Sequence, residues 1–175
     1  LEGTGAMVLD HIGRIAYTVK SNRADPILLE RFCTHFNFEP MVFEAKDKAG
    51  RDVYHTNVLM GIGTEYALIC LDMIVDSARR SEVAARLEET GRSVIDLTQD
   101  QIADFSGNAL ELTGKKRILA LSAKALDALW PDQIAEIEKS AEPLPLTIPT
   151  IETAGGSVRC MLAGIHLSPR ERTSK

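Results

Sequence analysis

Three side chains that could act in catalysis stand far apart in this 175-residue sequence: the carboxylate of Glu2, the imidazole of His55 and the thiol of Cys160. A cysteine thiolate is a nucleophile, a histidine transfers protons near neutral pH, and a carboxylate can hold a cationic substrate. Each residue alone has a simpler explanation, as a solvated acid, a hydrogen-bonded histidine or a small core residue. A catalytic site therefore requires a fold that brings the three together.

A repeated unit of about 50 residues could provide such a fold. Each unit is predicted to contain a β-hairpin, an amphipathic helix and a further strand, and the hairpin glycines are Gly13, Gly63 and Gly114, in steps of 50 and 51 residues. A period of this size is typical of propellers and repeat arrays. We therefore expect one α/β domain over residues 1–170, followed by a disordered tail. The predicted segments are three units over 1–50, 51–103 and 104–152, the first strand of a fourth unit over 157–168, and the tail over 171–175.

The helix of the first unit has the clearest boundaries. Asp25 is a natural N-cap, Pro26 suits the first helical position, and Asn37 can end the helix. The residues that we expect on its buried face are Leu28, Leu29, Phe32 and Phe36.

Polar and reactive residues recur where the units begin. If the units surround an axis, equivalent starting positions lie near that axis, and residues that are distant in sequence can converge there. The residues at the four starts are Glu2; His55, Thr56 and Asn57; Ser106 and Asn108; and Ser157 and Cys160. Their shared place in the repeat is what favours a common site.

The composition narrows the classes of function. A net charge of −5 and an isoelectric point near 5.4 argue against a nucleic-acid partner. No apolar run reaches the roughly 20 residues that cross a bilayer, and the first residues lack the features of a signal peptide, so we expect no membrane contact and a cytoplasmic location. The spacing of the cysteines and histidines favours neither a disulfide framework nor a structural metal site, and Cys33 and Cys70 are interpreted as small core residues.

Four motifs carry a family resemblance: "LEGTG", "VYHTNV", "FSGN" and "GGSVRCMLA". Together they resemble the guanidine-modifying superfamily of arginine deiminase, dimethylarginine hydrolase and the amidinotransferases, and most of all its citrulline-utilisation hydrolase and amidinotransferase branch. The resemblance runs from Leu1 to about Arg170. It implies the pentein fold, a fivefold pseudo-symmetric α/β propeller with the active site on its axis. This chain resembles the C-terminal part only.

The resemblance also implies roles for individual residues. Cys160 matches the nucleophile, His55 the general acid/base, and Glu2 the carboxylate that holds the guanidinium. Asn57 stands where several relatives have a substrate-binding aspartate, and we place it in the substrate pocket together with Ser157 and Glu2. No metal and no organic cofactor is implied.

The expected function is a cysteine-dependent hydrolase of a guanidino or ureido compound, such as arginine or citrulline, acting through a thiouronium-type intermediate. Two alternatives stay open: transfer of the amidino group to an amine, and a non-catalytic binding module that lacks the N-terminal part of the site. The expected partners are the small-molecule substrate and either the missing N-terminal segment or a second copy of the chain.

Overall fold

Three sheets of the same topology follow one another along residues 1–165, the residues that this computed structural model describes. In each sheet the first strand pairs antiparallel with the second, and the second pairs parallel with the third. A helical segment precedes the third strand of each sheet, because two parallel neighbouring strands need a crossover connection. The strands are β1 (Met7–Asp10), β2 (Ile15–Val19), β3 (Glu39–Phe43), β4 (Met60–Ile62), β5 (Tyr66–Ile69), β6 (Ser93–Asp96), β7 (Leu110–Thr113), β8 (Arg117–Ser122) and β9 (Glu142–Leu146).

The helices complete the three units. The crossover helices are α1 (Pro26–Phe36), α2 (Ser77–Glu89), and the pair α4 (Ala123–Ala128) and α5 (Pro131–Glu138). Two short helices, α3 (Gln99–Ala103) and α6 (Pro149–Thr153), follow the second and third sheets and were not predicted. This order of elements confirms the predicted α/β repeat of strand, strand, helix and strand.

Helix α1 begins and ends where the sequence predicted. The Asp25 carboxylate accepts a hydrogen bond from the Leu28 backbone N–H at 3.0 Å, and Pro26 occupies the first helical position. Asn37 ends the helix in the left-handed conformation, with φ of 56°.

The buried face of α1 differs from the prediction. Leu29 and Cys33 are buried, whereas Leu28 and Phe36 are 44% and 52% exposed. Leu29 and Cys33 are one helical turn apart and form the stripe that faces the sheet. Leu28 and Phe36 lie on the neighbouring stripe, which nothing in residues 1–165 covers fully, so the helix keeps an exposed apolar flank.

The middle strands form the centre of the core. Every residue of β2 and of β5 is buried, and the four side chains of β5 are at most 1% exposed. Cys70 directly follows β5 and is fully buried, as the sequence predicted, and Cys33 is also buried.

Consecutive units are joined at equivalent positions. The backbone N–H of Asn57 donates to the carbonyl of Gly5 at 3.2 Å, and the backbone N–H of Arg159 donates to the carbonyl of Asn108 at 3.4 Å. The second and the fourth unit starts are therefore each bonded to the start of the preceding unit.

A buried ion pair also joins the first two units. The Arg92 guanidinium donates to both carboxylate oxygens of Asp10 at 2.8 Å, and both side chains are at most 2% exposed. Asp10 Oδ1 accepts two further hydrogen bonds from the backbone N–H groups of Ile12 and Gly13 in the first hairpin. The pair is fully hydrogen-bonded, which a buried ion pair requires.

The strand that we predicted over 157–168 is wrong in the part of it that the structure describes. Val158–Met161 forms a 3-10 turn, with local hydrogen bonds from Cys160 N to Ser157 O and from Leu162 N to Arg159 O. The second unit explains the error, because there too a 3-10 turn, Thr56–Val58, precedes the first strand. Residues 166–168 and the predicted tail over 171–175 lie outside the described residues.

Candidate active site

The carboxylate of Glu2 and the ring of His55 meet in the structure. Glu2 Oε2 lies 3.3 Å from His55 Nε2. The Glu2 side chain is exposed, whereas the His55 side chain is only 16% exposed. Glu2 lies in the segment before β1, and His55 directly precedes the 3-10 turn of the second unit. The first two unit starts therefore contribute one residue each to this contact.

Arg23 and Tyr54 surround this pair. The Arg23 carbonyl accepts a hydrogen bond from the Glu2 backbone N–H at 2.9 Å, and Arg23 Nε lies 3.3 Å from Glu2 Oε2. The Arg23 guanidinium also lies over the Tyr54 ring, 4.8 Å from its centroid, and the Tyr54 hydroxyl donates to the carbonyl of Gly155 at 3.4 Å. Tyr54 thus connects the carboxylate and imidazole to the loop that leads to Cys160.

Gly5 allows the His55 ring and the Asn57 amide to lie against its backbone. A β-carbon on Gly5 would come within 2.6 Å of His55 Nδ1 and 3.1 Å of Asn57 Oδ1. A contact of 2.6 Å essentially never occurs for a real β-carbon, so a larger residue at this position would force the His55 ring to shift, whereas the 3.1 Å contact with Asn57 is tight.

Cys160 lies in an environment of amide groups. Its Sγ is 3.7 Å from Asn57 Nδ2, 3.2 Å from Asn108 Nδ2 and 3.5 Å from Asn108 Oδ1. Cys160 is exposed, in contrast to Cys33 and Cys70. Burial raises the pKa of Cys33 and raises that of Cys70 to about 11, so these two are protonated and inaccessible at neutral pH.

Arg159 supplies a positive charge beside the thiol. Its guanidinium donates to the carbonyls of Leu162 at 3.1 Å and Thr4 at 3.3 Å. Burial lowers the pKa of Arg159, and the neighbouring Cys160 acts in the opposite direction. The guanidinium stays charged, because an arginine keeps its proton in proteins.

Ser157 and Asn57 are buried and incompletely bonded. Both residues are at most 1% exposed, and within residues 1–165 neither Ser157 Oγ nor Asn57 Oδ1 has a hydrogen-bond partner. Such groups are costly unless another molecule or segment completes their bonding. This is the arrangement of polar groups that a ligand could satisfy.

The predicted site residues thus form two contacting groups. Glu2 contacts His55, and Cys160 contacts Asn57; His55 and Asn57 both lie against Gly5. A cavity of about 380 Å³ lies along β1, β4 and β7 and reaches Thr4 and Arg159, but neither His55 nor Cys160 is among its lining residues.

Sequence reasoning missed two contributors: Gly5, and Asn108 as a partner of the thiol. The signal for Asn108 was present, because Asn108 follows Asn57 by 51 residues and so occupies its equivalent position. Among the described residues, no cluster of three His, Cys, Asp or Glu side chains could hold a metal ion. No helix in residues 1–165 is long and apolar enough to span a membrane.

Comparison with solved structures identifies the fold. One similar structure is the N-terminal domain of ArgZ, a cyanobacterial arginine dihydrolase, solved with a covalently bound reaction intermediate. It superposes with a TM-score of 0.72 at 15% identity, and the match covers 92% of this chain and 55% of the ArgZ chain. AgrE in complex with ornithine and NAD+ gives a TM-score of 0.74 at 17% identity, over 98% of this chain and 24% of AgrE. SxtG, an amidinotransferase from Microseira wollei, gives a TM-score of 0.60 at 12% identity, over 89% of this chain and 42% of SxtG.

These neighbours confirm the pentein fold predicted from the sequence, here with open sheets. The chain spans about half of the ArgZ domain and a smaller share of the other two. No curated protein sequence matches the chain significantly. The family model described as "N,N dimethylarginine dimethylhydrolase, eukaryotic" matches residues 1–167, nearly the whole sequence. The chain therefore belongs to the dimethylarginine dimethylhydrolase family of guanidine-modifying proteins.

Proposed function

We propose that this chain carries the nucleophile and the acid/base group of a cysteine-dependent hydrolase of guanidino or ureido compounds, with arginine, citrulline and N,N-dimethylarginine as the substrates to be tested. The observation that carries the proposal is the exposed thiol of Cys160, which contacts the Asn57 amide; this amide and the His55 ring both lie against Gly5. Membership of the family and the likeness to arginine dihydrolases support the substrate class.

The proposed reaction begins with attack by the Cys160 thiolate on the guanidinium carbon. A carbon–sulfur bond forms, and the bond to the leaving nitrogen breaks as His55 donates a proton to the departing amine. The product of this half is a thiouronium intermediate on Cys160. His55 then removes a proton from water, the resulting hydroxide adds to the same carbon, and the carbon–sulfur bond breaks to return the thiolate.

The other residues bind the substrate in this proposal. A guanidinium presents paired N–H donors, and the Glu2 carboxylate can accept them in a two-point contact. Asn57 Oδ1 and Ser157 Oγ, both buried without partners in the described part of the chain, are available to further polar atoms of the substrate.

The experiment is turnover by the purified protein of arginine, citrulline, agmatine and N,N-dimethylarginine, with detection of ammonia, dimethylamine and urea-type products. Acid quenching followed by mass spectrometry should show a covalent adduct on the peptide that contains Cys160. The variant Cys160→Ala should lose turnover and the adduct while substrate binding remains measurable, and Cys33→Ala should keep both. Full activity of Cys160→Ala would rule out the proposed nucleophile.

Amidino transfer is the second candidate, and the likeness to the amidinotransferase SxtG favours it. An acceptor amine would then take the place of water in the second half of the reaction. Added glycine or ornithine should capture the amidino group if transfer operates, and should leave the products unchanged if hydrolysis operates.

The same proposal includes a second polypeptide segment that completes the site, because this chain spans only 55% of the ArgZ domain. We propose either an upstream segment or a second copy of the chain in this role. The exposed apolar flank of α1, with Leu28 and Phe36, is the surface that supports it. If neither joins the 175-residue chain, and it binds a guanidino compound but turns over none, it acts as a binding module.

A further inference from the structure

Both the nitrogen and the oxygen of the Asn108 side-chain amide contact the sulfur of Cys160. Asn108 is only 3% exposed, and its Nδ2 lies 2.8 Å from the carbonyl oxygen of Asn57 and 3.2 Å from Cys160 Sγ. The same sulfur lies 3.5 Å from Asn108 Oδ1. The starts of the second, third and fourth units therefore meet at one point.

The orientation of this amide follows from its neighbour. The backbone carbonyl of Asn57 is an acceptor only, so the end of the Asn108 amide that faces it must be the NH2 group. The other hydrogen of that NH2 group is then available to the sulfur. A flipped amide would oppose two carbonyl oxygens at the site of the 2.8 Å bond.

We propose that Asn108 is a positioning residue for Cys160. It fixes the place of the sulfur and donates an N–H hydrogen bond to it; when the thiol is protonated, Oδ1 accepts the S–H hydrogen. This N–H···S bond strengthens when sulfur becomes negative, because hydrogen bonds to charged groups are stronger than neutral ones. The role in catalysis rests on the proposed function, whereas the effect on the thiol does not.

Other groups contribute to the same environment, so the loss of Asn108 should weaken the thiolate without abolishing it. Asn57 Nδ2 is 3.7 Å from the sulfur, and the half-buried guanidinium of Arg159 is the neighbouring positive charge. Asn108 makes the shorter contact of the two amides, and it is anchored by a second bond.

Two substitutions test the proposal. Asn108→Leu keeps the branched shape and removes the donor, and Asn108→Asp replaces the NH2 group with a negatively charged oxygen. The readout is the rate at which iodoacetamide alkylates Cys160 at neutral pH, measured by peptide mass spectrometry. Cys33 and Cys70 are buried and serve as internal references for folding, because they react only when the protein opens.

The expected result for Asn108→Leu is a rate about three- to tenfold lower than that of the unmodified protein, because losing a hydrogen bond to a charged group lowers the thiolate fraction while a more basic thiolate is more reactive. Asn108→Asp should react still more slowly. If turnover is present, kcat should fall in both variants while KM changes little.

Gln101→Glu is the matched control. Gln101 is a buried amide, 4% exposed, that bonds the carbonyl of Ala128 and the side chain of Gln133 and does not contact the sulfur. The same change from amide to carboxylate should lower the stability of the protein and leave the alkylation rate of Cys160 unchanged.

An alkylation rate within twofold of the unmodified protein in both folded Asn108 variants would overturn the proposal. If Asn108→Leu does not fold, Asn108→Asp, which keeps the size of the side chain, decides alone. Slow alkylation of the variants together with no turnover of any guanidino compound by the unmodified protein would refute the proposed function and support the role of Asn108. Normal alkylation with normal turnover would do the reverse.

Discussion

Glu2 Oε2 lies 3.3 Å from His55 Nε2, although 53 positions separate these two residues in the sequence. Glu2→Gln keeps the size of the side chain and removes its charge. We expect kcat/KM for a guanidino substrate to fall about 10- to 100-fold, because hydrogen bonds to charged groups contribute roughly 1.5–3 kcal/mol. Steady-state kinetics at neutral pH provides the measurement.

Arg23→Gln is the control for that substitution. It removes the other charged partner of Glu2, but both side chains are about half exposed, and such pairs contribute only about 0–1 kcal/mol. Activity should therefore change little. An equal loss in Arg23→Gln and Glu2→Gln would mean that the carboxylate acts only through Arg23.

Gly5→Ala should separate activity from folding. The added methyl group would lie 2.6 Å from His55 Nδ1, so the ring must shift from its present position. We expect turnover to fall at least about tenfold, since small displacements of catalytic groups are costly. Circular dichroism should still show a folded protein.

Gly114→Ala is the matched substitution, because its nearest neighbour would be the Lys116 carbonyl at an ordinary distance of 3.9 Å. It should keep full activity. A Gly5→Ala protein with unchanged kcat would contradict the assignment of His55 to the site.

Asp10→Ala should be strongly destabilising. It would leave the Arg92 guanidinium buried without its charged partner, and breaking a buried pair from one side costs about 3–5 kcal/mol. Urea denaturation gives the free energy of unfolding. The exposed pair of Lys20 and Glu44 is the comparison, and Glu44→Ala should cost about 0–1 kcal/mol. Similar losses of unfolding free energy in the two variants would contradict the proposed stabilisation of the first two units by the Asp10–Arg92 pair.

The stability of the protein should fall in alkaline solution, partly because of Cys70. Burial raises its pKa from 9.0 to about 11, so the folded state keeps a proton that the unfolded state releases. The stabilisation is fully present below pH 9 and is lost as pH rises to 11; two pKa units correspond to about 3 kcal/mol. Burial likewise raises the pKa of Tyr17 and of Tyr66, which adds to the effect.

Urea denaturation across this pH range tests that prediction. Cys70→Ala should show a smaller loss of unfolding free energy between pH 9 and 11 than the unmodified protein, whatever its stability at neutral pH. Identical slopes for Cys70→Ala and the unmodified protein would exclude Cys70 as a contributor.

The repeat and its caps were predictable because they depend on local chemistry. Asp25, Pro26 and Asn37 act within one helix, and the three hairpin glycines reveal the period directly. The turn at Val158–Met161 was not predictable in this way, since its apolar pattern also suits a strand and only the bond from Arg159 N to Asn108 O places it. Tertiary pairing decided what periodicity could not.

The candidate site was predictable in its residue types and less so in its contacts. Symmetry and family resemblance selected Glu2, His55 and Cys160. The approach of Asn108 to the sulfur depends on a side chain from one unit meeting a backbone carbonyl of another, a relationship over 51 residues that no local pattern encodes. The exposure of Phe36 likewise depends on what covers α1 from outside its own unit.

The bonds between successive unit starts, from Asn57 N to Gly5 O and from Arg159 N to Asn108 O, limit how the sequence can change in length. Extra residues near the axis would break these bonds and shift every later unit. Extra residues in peripheral loops, such as the exposed turn around Gly50, would leave the central spacing intact. Insertions and deletions among homologues should therefore be concentrated in the peripheral loops. The contact between Asn57 and Asn108 should be kept even in homologues where the separation of these two residues in sequence differs from 51.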